Sequence, residues 1–187
     1  MQFCSQCGGR VTLLVPEGDS LPRHVCQACG TIHYQNPKLV VGCLAEWREQ
    51  ILLCRRSIDP RYGLWTLPAG FMENGESTSQ AALRETLEEA CARVELGPAF
   101  CLINVPHINQ VHLFYRARLL DTRFAAGAET LETALFSEDA LPWHELAFQS
   151  VTMCLRAYFA DRLSGRFTFH EDSIVRAPRA ANGRPRD

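Results

Sequence analysis

Three glutamates, Glu85, Glu88 and Glu89, stand at i, i+3 and i+4, a spacing that brings their carboxylates to one face of an α-helix. Like charges so placed destabilise a helix by roughly 0.2–0.5 kcal/mol per pair, and no lysine is interleaved among them. A hard divalent cation, magnesium or manganese, takes carboxylate oxygens as ligands and would turn that repulsion into a binding site. Taken alone, the same cluster also suits a solvated acidic helix face. A second ligand set lies near the start of the chain, where Cys4-x-x-Cys7 and Cys26-x-x-Cys29 are separated by 18 residues. That is the spacing of a four-cysteine zinc site. Glycine follows each pair, at Gly8 and Gly30, and permits the tight turn that aims two sulfurs at one ion. Four thiolates leave a zinc ion no position for water, so this zinc is expected to be structural.

The elements that must position these groups are legible around them. Ser77 and Gln80 form a capping box that starts the acidic helix. Leu83, Leu87 and Ala90 recur at helical spacing and are expected to face the core, opposite the carboxylates. Upstream, Lys38–Trp47 and Gln50–Arg56 are apolar, β-rich runs joined at Arg48-Glu49, a predicted hairpin. Arg55 and Arg56 close its second strand within reach of a diphosphate. Leu64 to Gly70 leads into the acidic helix through a Pro68-Ala69-Gly70 turn that presents backbone carbonyls, with Trp65 expected in the core. Val94–Leu102, Val111–Leu120 and Glu132–Phe136 read as further strands, the last after a loop containing Gly127. An apolar stripe through Leu146, Val151, Cys154, Leu155, Tyr158, Phe159 and Leu163 predicts a helix over the sheet's second face. The fold class is α/β, a mixed sheet between helices. Gln35-Asn36-Pro37 reads as a hinge, which gives a zinc ribbon over 1–36, a main domain over 37–165 and a C-terminal extension over 166–187. The Pro/Gly/Arg-rich end is expected to be flexible from about residue 177.

The formal net charge of −2 supplies no global basic field for nucleic acid or an anionic membrane. Around the cysteine pairs the few positive charges, Arg10 and Arg23 with His24 nearby, are too sparse for a nucleic-acid surface. The opening MQFCSQCGGR lacks the apolar core of a signal peptide, and no apolar run approaches a membrane span. A cytoplasmic protein is expected. Nine cysteines, an odd number, then mean metal ligands plus free buried thiols rather than disulfides.

The stretch from Gly70 to Ala92 resembles the Nudix box: Gly, five residues, Glu, seven residues, Arg-Glu, apolar, any, Glu-Glu, any, Gly, apolar. Gly70, Glu76, Arg84, Glu85, Glu88 and Glu89 fall in register, while Thr86 stands where the pattern has an apolar residue and Cys91 where it has Gly. The resemblance implies that Glu85, Glu88 and Glu89, with the Ala69 backbone carbonyl, hold the catalytic magnesium or manganese. It implies that Arg84 and Glu76 form the ion pair orienting the loop against the helix. The proton acceptor is then Glu129 or Glu132, with Glu132 favoured and Glu85 able to share the role.

The likeness extends over nearly the whole chain, through the ribbon, Tyr34-Gln35-Asn36-Pro37, GLWTLPAGF, the box and AETLETALF. That combination resembles the zinc-ribbon Nudix hydrolases similar to the plant FAD and ADP-ribose pyrophosphatases. The resemblance implies an α/β/α sandwich, commonly a homodimer, acting on a small-molecule nucleotide. FAD would yield FMN and AMP; ADP-ribose would yield AMP and ribose 5-phosphate. Tyr34, Phe71 and Phe114 are candidate stacking surfaces for a flavin or adenine ring. NADH pyrophosphatases of the family carry a Ser-Gln-Pro-Trp-Pro-Phe-Pro signature after the box, whereas this chain reads VELGPAFCLINVPHINQVHLF there. NADH pyrophosphatase, a hydrolase of capped or triphosphorylated RNA and a nucleotide-binding regulator without catalysis stand as alternatives. A regulator would commonly have lost box carboxylates that this chain keeps.

Overall fold

A computed structural model of the chain describes residues 1–175; the stretch expected to be flexible from about 177 lies outside them. The chain divides after Pro37 into two units. In the first, β1 (Val11–Leu14), β2 (Arg23–Cys26) and β3 (Ile32–His33) form an antiparallel sheet beside the cysteine turns.

The second unit opens with the hairpin of β4 (Lys38–Trp47) and β5 (Gln50–Arg56), turning at Arg48, whose φ is 57°. Two short strands, β6 (Trp65–Thr66) and β7 (Ala69–Phe71), pair with β5 and β4. Helix α1 (Thr78–Ala90) follows, then β8 (Val94–Val105), β9 (Gln110–Leu119), β10 (Thr130–Phe136), α2 (Gln149–Ser164) and β11 (His170–Ser173). The sheet runs β10-β5-β4-β9-β8-β11. It is mixed, with β4–β9 and β8–β11 parallel and the other neighbours antiparallel. His170–Ser173, placed in the extension by the sequence, is therefore an edge strand. Its register against Cys101–Asn104 is held by backbone pairing that the polar sequence HEDS does not announce.

The two faces of the sheet carry separate cores, as strand alternation requires. Val41, Cys43 and Ala45 of β4 and Leu52 and Cys54 of β5 meet Ala81, Ala82 and Ala90 of α1. Leu44, Ile51 and Leu53 turn the other way, onto Val151, Cys154, Leu155, Tyr158 and Phe159 of α2, with Trp65 among them. Each fully buried aliphatic side chain contributes roughly 1.5–3 kcal/mol, so this α/β/α sandwich rests on two apolar layers. Among the described residues no helix is long and apolar enough to cross a membrane.

Helix α1 corrects one expectation. Its capping box forms, with the Ser77 hydroxyl accepting from Gln80 N–H and the Gln80 side chain accepting from Ser77 N–H. The helix is rotated from the predicted orientation, however, because Leu83 and Leu87 are 39% and 52% exposed while Glu85 and Glu89 are each 8% exposed. The buried positions are 81, 82, 85, 86, 89 and 90, a stripe of small residues and carboxylates. Alanines there bring the helix close to the sheet, and leucines on that face would hold it off. Thr86 fits the buried stripe because its hydroxyl donates to Ala82 O within the helix, at 2.7 Å. Cys91 ends the helix at φ 48°, the left-handed conformation that usually calls for glycine, at a cost of about 1–2 kcal/mol.

Candidate active site

Arg84 sits at the centre of the acidic helix face. Its Nε and Nη2 donate to the two oxygens of Glu76 at 3.1 and 2.6 Å, a two-pronged ion pair. Nη1 donates to Glu85 at 2.7 Å and to Glu88 at 3.1 Å, and Nη2 also reaches the Phe71 carbonyl at 3.1 Å. The repulsion among the carboxylates is thus relieved by the arginine at the start of their own run. Glu76 first, then Glu85 and Glu88, hold the guanidinium above its ordinary pKa, and Arg84 in turn lowers that of Glu76.

Glu89 points inward, where its carboxylate accepts from the Ala69 backbone N–H at 3.0 Å. Burial is the main cause that pushes its pKa up to about 7, partly offset by the Ala69 hydrogen bond. Burial likewise raises Glu85, against the opposing pull of Arg84. Gly70 is required here, since a Cβ at that position would collide with the Glu85 carboxylate. A second loop seals the far end of α1: Ala125 N–H donates to Ala90 O at 2.9 Å and Gly127 N–H to Glu89 O at 3.0 Å. A side chain at Gly127 would strike the Glu88 carbonyl. That loop is held to the end of β5 by Ser57 N–H, which donates to Glu129 O at 2.9 Å.

These groups share a cavity of about 710 Å³. Glu85, Glu88, Glu89, Arg84, Ala69 and Gly70 line one end, with Glu129 and Arg56 beside them. The remaining wall is largely apolar, built from Val40, Phe71, Ile108, Phe114, Phe148 and Val151. Arg56 stacks its guanidinium over the Phe148 ring at 5.1 Å, with Nε donating to Pro60 O at 3.0 Å. Phe71 is 48% exposed, with the Lys38 ammonium 4.9 Å from its ring centroid.

Two residues expected at this site, Arg55 and Glu132, do not line the cavity. Glu132, favoured by the sequence as the proton acceptor, is not among the lining residues; it pairs with Arg55 across β10 and β5, at 3.6 Å. Arg55 donates from Nε to Gly63 O at 2.9 Å. Cross-strand register turns both side chains away together. Tyr34 belongs to the first unit, where the Arg23 guanidinium lies 5.0 Å from its ring centroid. Phe114 reaches the cavity wall but is 1% exposed, a packing residue rather than a stacking surface. Gln110, His112, Ser150 and Phe148 also line the cavity, although no motif marks them as site residues. The alternation of β9 puts His112 and Phe114 on one face, which is the signal available in the sequence.

In the first unit, the sulfurs of Cys4, Cys7, Cys26 and Cys29 all lie within 4.8 Å of one another. The Cys7–Cys26 and Cys7–Cys29 separations are 3.4 Å and Cys4–Cys29 is 3.8 Å. A tetrahedron with zinc–sulfur bonds of about 2.3 Å has edges of about 3.8 Å, so the sulfurs fit zinc. His33 Nε2 lies 3.2 Å from Cys4 Sγ and Thr31 Oγ1 3.1 Å from Cys29 Sγ. The Thr31 contact leads the causes that lower Cys29 to about 6, favouring its thiolate. Among the described residues the helix carboxylates form no comparably tight group. Their donor chemistry fits a hard divalent cation, and Arg84 Nη1 bridges one oxygen of Glu85 and one of Glu88.

Residues 2–35 match the family model described as Nudix N-terminal, the zinc ribbon, and residues 36–152 match the NUDIX domain. A crystal structure of a Nudix hydrolase from Nitrosomonas europaea superposes with a TM-score of 0.90 at 53% identity, covering 93% of this chain and 99% of that one. The NAD-capped RNA hydrolase NudC of Vibrio cholerae is 39% identical over 93 residues, 48% of this chain and 31% of that protein. NudC of Pseudomonas aeruginosa is 30% identical over 146 residues, 75% of this chain and 49% of that protein. The chain therefore spans half or less of the length of these two curated relatives.

Proposed function

Because the chain belongs to the Nudix family and is a hydrolase of that family with a zinc ribbon ahead of its catalytic domain, we propose that it cleaves the diphosphate bond of a nucleotide linked to a second moiety, with FAD, ADP-ribose or both as substrate. The observation that carries this reading is one cavity, with a carboxylate-rich end and an apolar, aromatic end large enough for a ring. Glu85, Glu88 and Glu89, with the Ala69 carbonyl, would hold magnesium or manganese. When bound, the divalent ion neutralises diphosphate charge and lowers the pKa of a water.

The chain's own residues do the rest. Arg56, with Nη groups not committed to protein partners among the described residues, holds a phosphate. Phe71 and Phe148 pack the ring. Arg84 and Glu76 fix the loop between β7 and α1, so that Ala69 and Gly70 stay against the carboxylates. Glu129, on the loop at the cavity rim, takes the proton of the attacking water. The resemblance to plant FAD and ADP-ribose pyrophosphatases supports the choice of substrates. A second reading, NAD or NAD-capped RNA, is favoured by the names of the Vibrio and Pseudomonas relatives.

The test is a panel of FAD, ADP-ribose, NADH and NAD-capped RNA incubated with magnesium, with products identified by mass. AMP with FMN, or AMP with ribose 5-phosphate, is the expected result. Preferential release of NMN would move the assignment to the second reading, and intact compounds throughout would reject both.

A further inference from the structure

The apolar end of the cavity contains a chain of polar side chains that none of the steps above uses. Gln110 and His112 are two residues apart on β9 and so share a face, and Ser150 lies in the first turn of α2. Ser150 Oγ is 2.8 Å from His112 Nδ1, and His112 Nε2 is 2.9 Å from Gln110 Oε1. An amide oxygen can only accept, so Nε2 carries the imidazole hydrogen, and Nδ1 accepts from the Ser150 hydroxyl. The relay has one polarity, from hydroxyl to imidazole to amide oxygen. Burial keeps it so: Ser150 is 1% and His112 8% exposed, and desolvation lowers His112 to about 4, leaving the ring neutral.

The consequence falls on Gln110. A free glutamine presents either end of its amide by rotating about its last bond, and a site lined by one therefore reads donors and acceptors alike. Here the oxygen is engaged by His112, while the amide nitrogen makes no hydrogen bond to protein among the described residues. Gln110 is half-buried and lines the cavity with Val40, Phe71, Ile108 and Phe148, none of which has a side-chain hydrogen to donate. A ring entering this end meets carbon on most sides and one oriented NH₂.

We propose that Gln110 is a specificity-determining residue that donates from its amide nitrogen to an acceptor, a carbonyl oxygen or ring nitrogen, on the edge of the substrate's heteroaromatic ring, and that His112 and Ser150 are positioning residues that hold the amide in that orientation. The inference rests on reading the cavity as a nucleotide site. It assigns the substrate a ring with an edge acceptor, as flavin and adenine have and a bare sugar phosphate lacks.

Calorimetric titration of the intact chain with AMP, FMN and ribose 5-phosphate in magnesium tests this without requiring turnover. Wild type, Gln110→Leu, Ser150→Ala and the double variant are compared, with thermal melting to confirm folding. Gln110→Met, which keeps the side chain's length, stands in if Leu disturbs the strand. Gln110→Leu is expected to weaken the tighter of AMP and FMN about tenfold, the loss of one well-made hydrogen bond, and to leave ribose 5-phosphate within twofold. Ser150→Ala is expected to weaken the same ring-bearing ligand about threefold. Because Ser150 acts through Gln110, the double variant is expected to match Gln110→Leu alone. An unchanged affinity in Gln110→Leu, equal weakening of ribose 5-phosphate, multiplied losses in the double variant, or no binding of either ring would overturn the proposal. Failure of the hydrolase reading appears separately, as intact substrates in the panel above.

Discussion

The ribbon and helix α1 both gather metal-binding side chains, and they do it in opposite ways. The four sulfurs of the ribbon stand at the spacing of the corners of a zinc tetrahedron, with His33 and Thr31 against two of them. Two carboxylates of α1 are instead bridged by an arginine, since a single Arg84 nitrogen takes an oxygen from Glu85 and another from Glu88. A closed thiolate set supports folding. An oxygen set that lines a cavity leaves room for water and substrate, as a catalytic ion needs. The two sites differ in their surroundings: the sulfurs close on one another, whereas the carboxylates share an arginine and face a cavity.

That contrast can be broken most severely at Glu89. Glu89→Gln keeps the side chain's volume and its contact with Ala69 N–H while removing the charge. Activity on the best substrate is expected to fall about 10³-fold, the loss of several kcal/mol of charge stabilisation, with zinc content and melting temperature maintained. Cys4→Ser is expected to do the reverse: zinc drops from one per chain towards none and protease cuts appear within residues 1–37, while the magnesium requirement stays as it was. Native protein without zinc on elemental analysis would remove one side of the comparison.

A smaller effect is expected from Arg84→Lys. Lysine cannot make the two-pronged pair with Glu76 and at the same time reach Glu85 and Glu88, so turnover should fall about 10- to 100-fold, as loss of an orienting partner does. The zinc stoichiometry should not move. The mildest test concerns acid. His112 titrates at about 4 in the fold because it is buried, against an ordinary value of about 6.5. The unfolded chain therefore binds the extra proton first as pH falls. The stability linked to neutral His112 is complete above pH 6.5, is lost progressively between 6.5 and 4, and changes no further below 4. Melting temperatures across that window should fall less steeply in His112→Asn than in wild type. Parallel curves would show that His112 is not held neutral.

Most of the frame was legible in the sequence because local chemistry and tertiary packing agree in it. The Ser77–Gln80 box, the hairpin turn at Arg48 and the apolar, β-rich runs of β4 and β5 each state a local preference that the fold keeps. The orientation of α1 was not legible. Counting leucines assumes that the largest apolar residues face the core, whereas close approach to a sheet selects alanine, and the site needs Glu85 and Glu89 turned inward. Strand β11 escaped because pairing through the backbone leaves no trace in HEDS. The placement of Glu132 was not legible either, because the register that sends it to Arg55 on the neighbouring strand, outside the cavity lining, is a tertiary feature. Gln110, His112 and Ser150 are joined by hydrogen bonds across 38 residues of sequence, a distance that spacing rules do not bridge.

Hydrolysis in water enriched in heavy oxygen tests the central claim, that the carboxylates of α1 serve attack by water on a diphosphate. With FAD or ADP-ribose as substrate, the label is expected on the phosphate of one product mononucleotide or sugar phosphate, and on no sugar carbon. Label at the ribose C1 position, or free adenine or nicotinamide among the products, would place the broken bond outside the diphosphate and contradict the assignment of Glu85, Glu88 and Glu89.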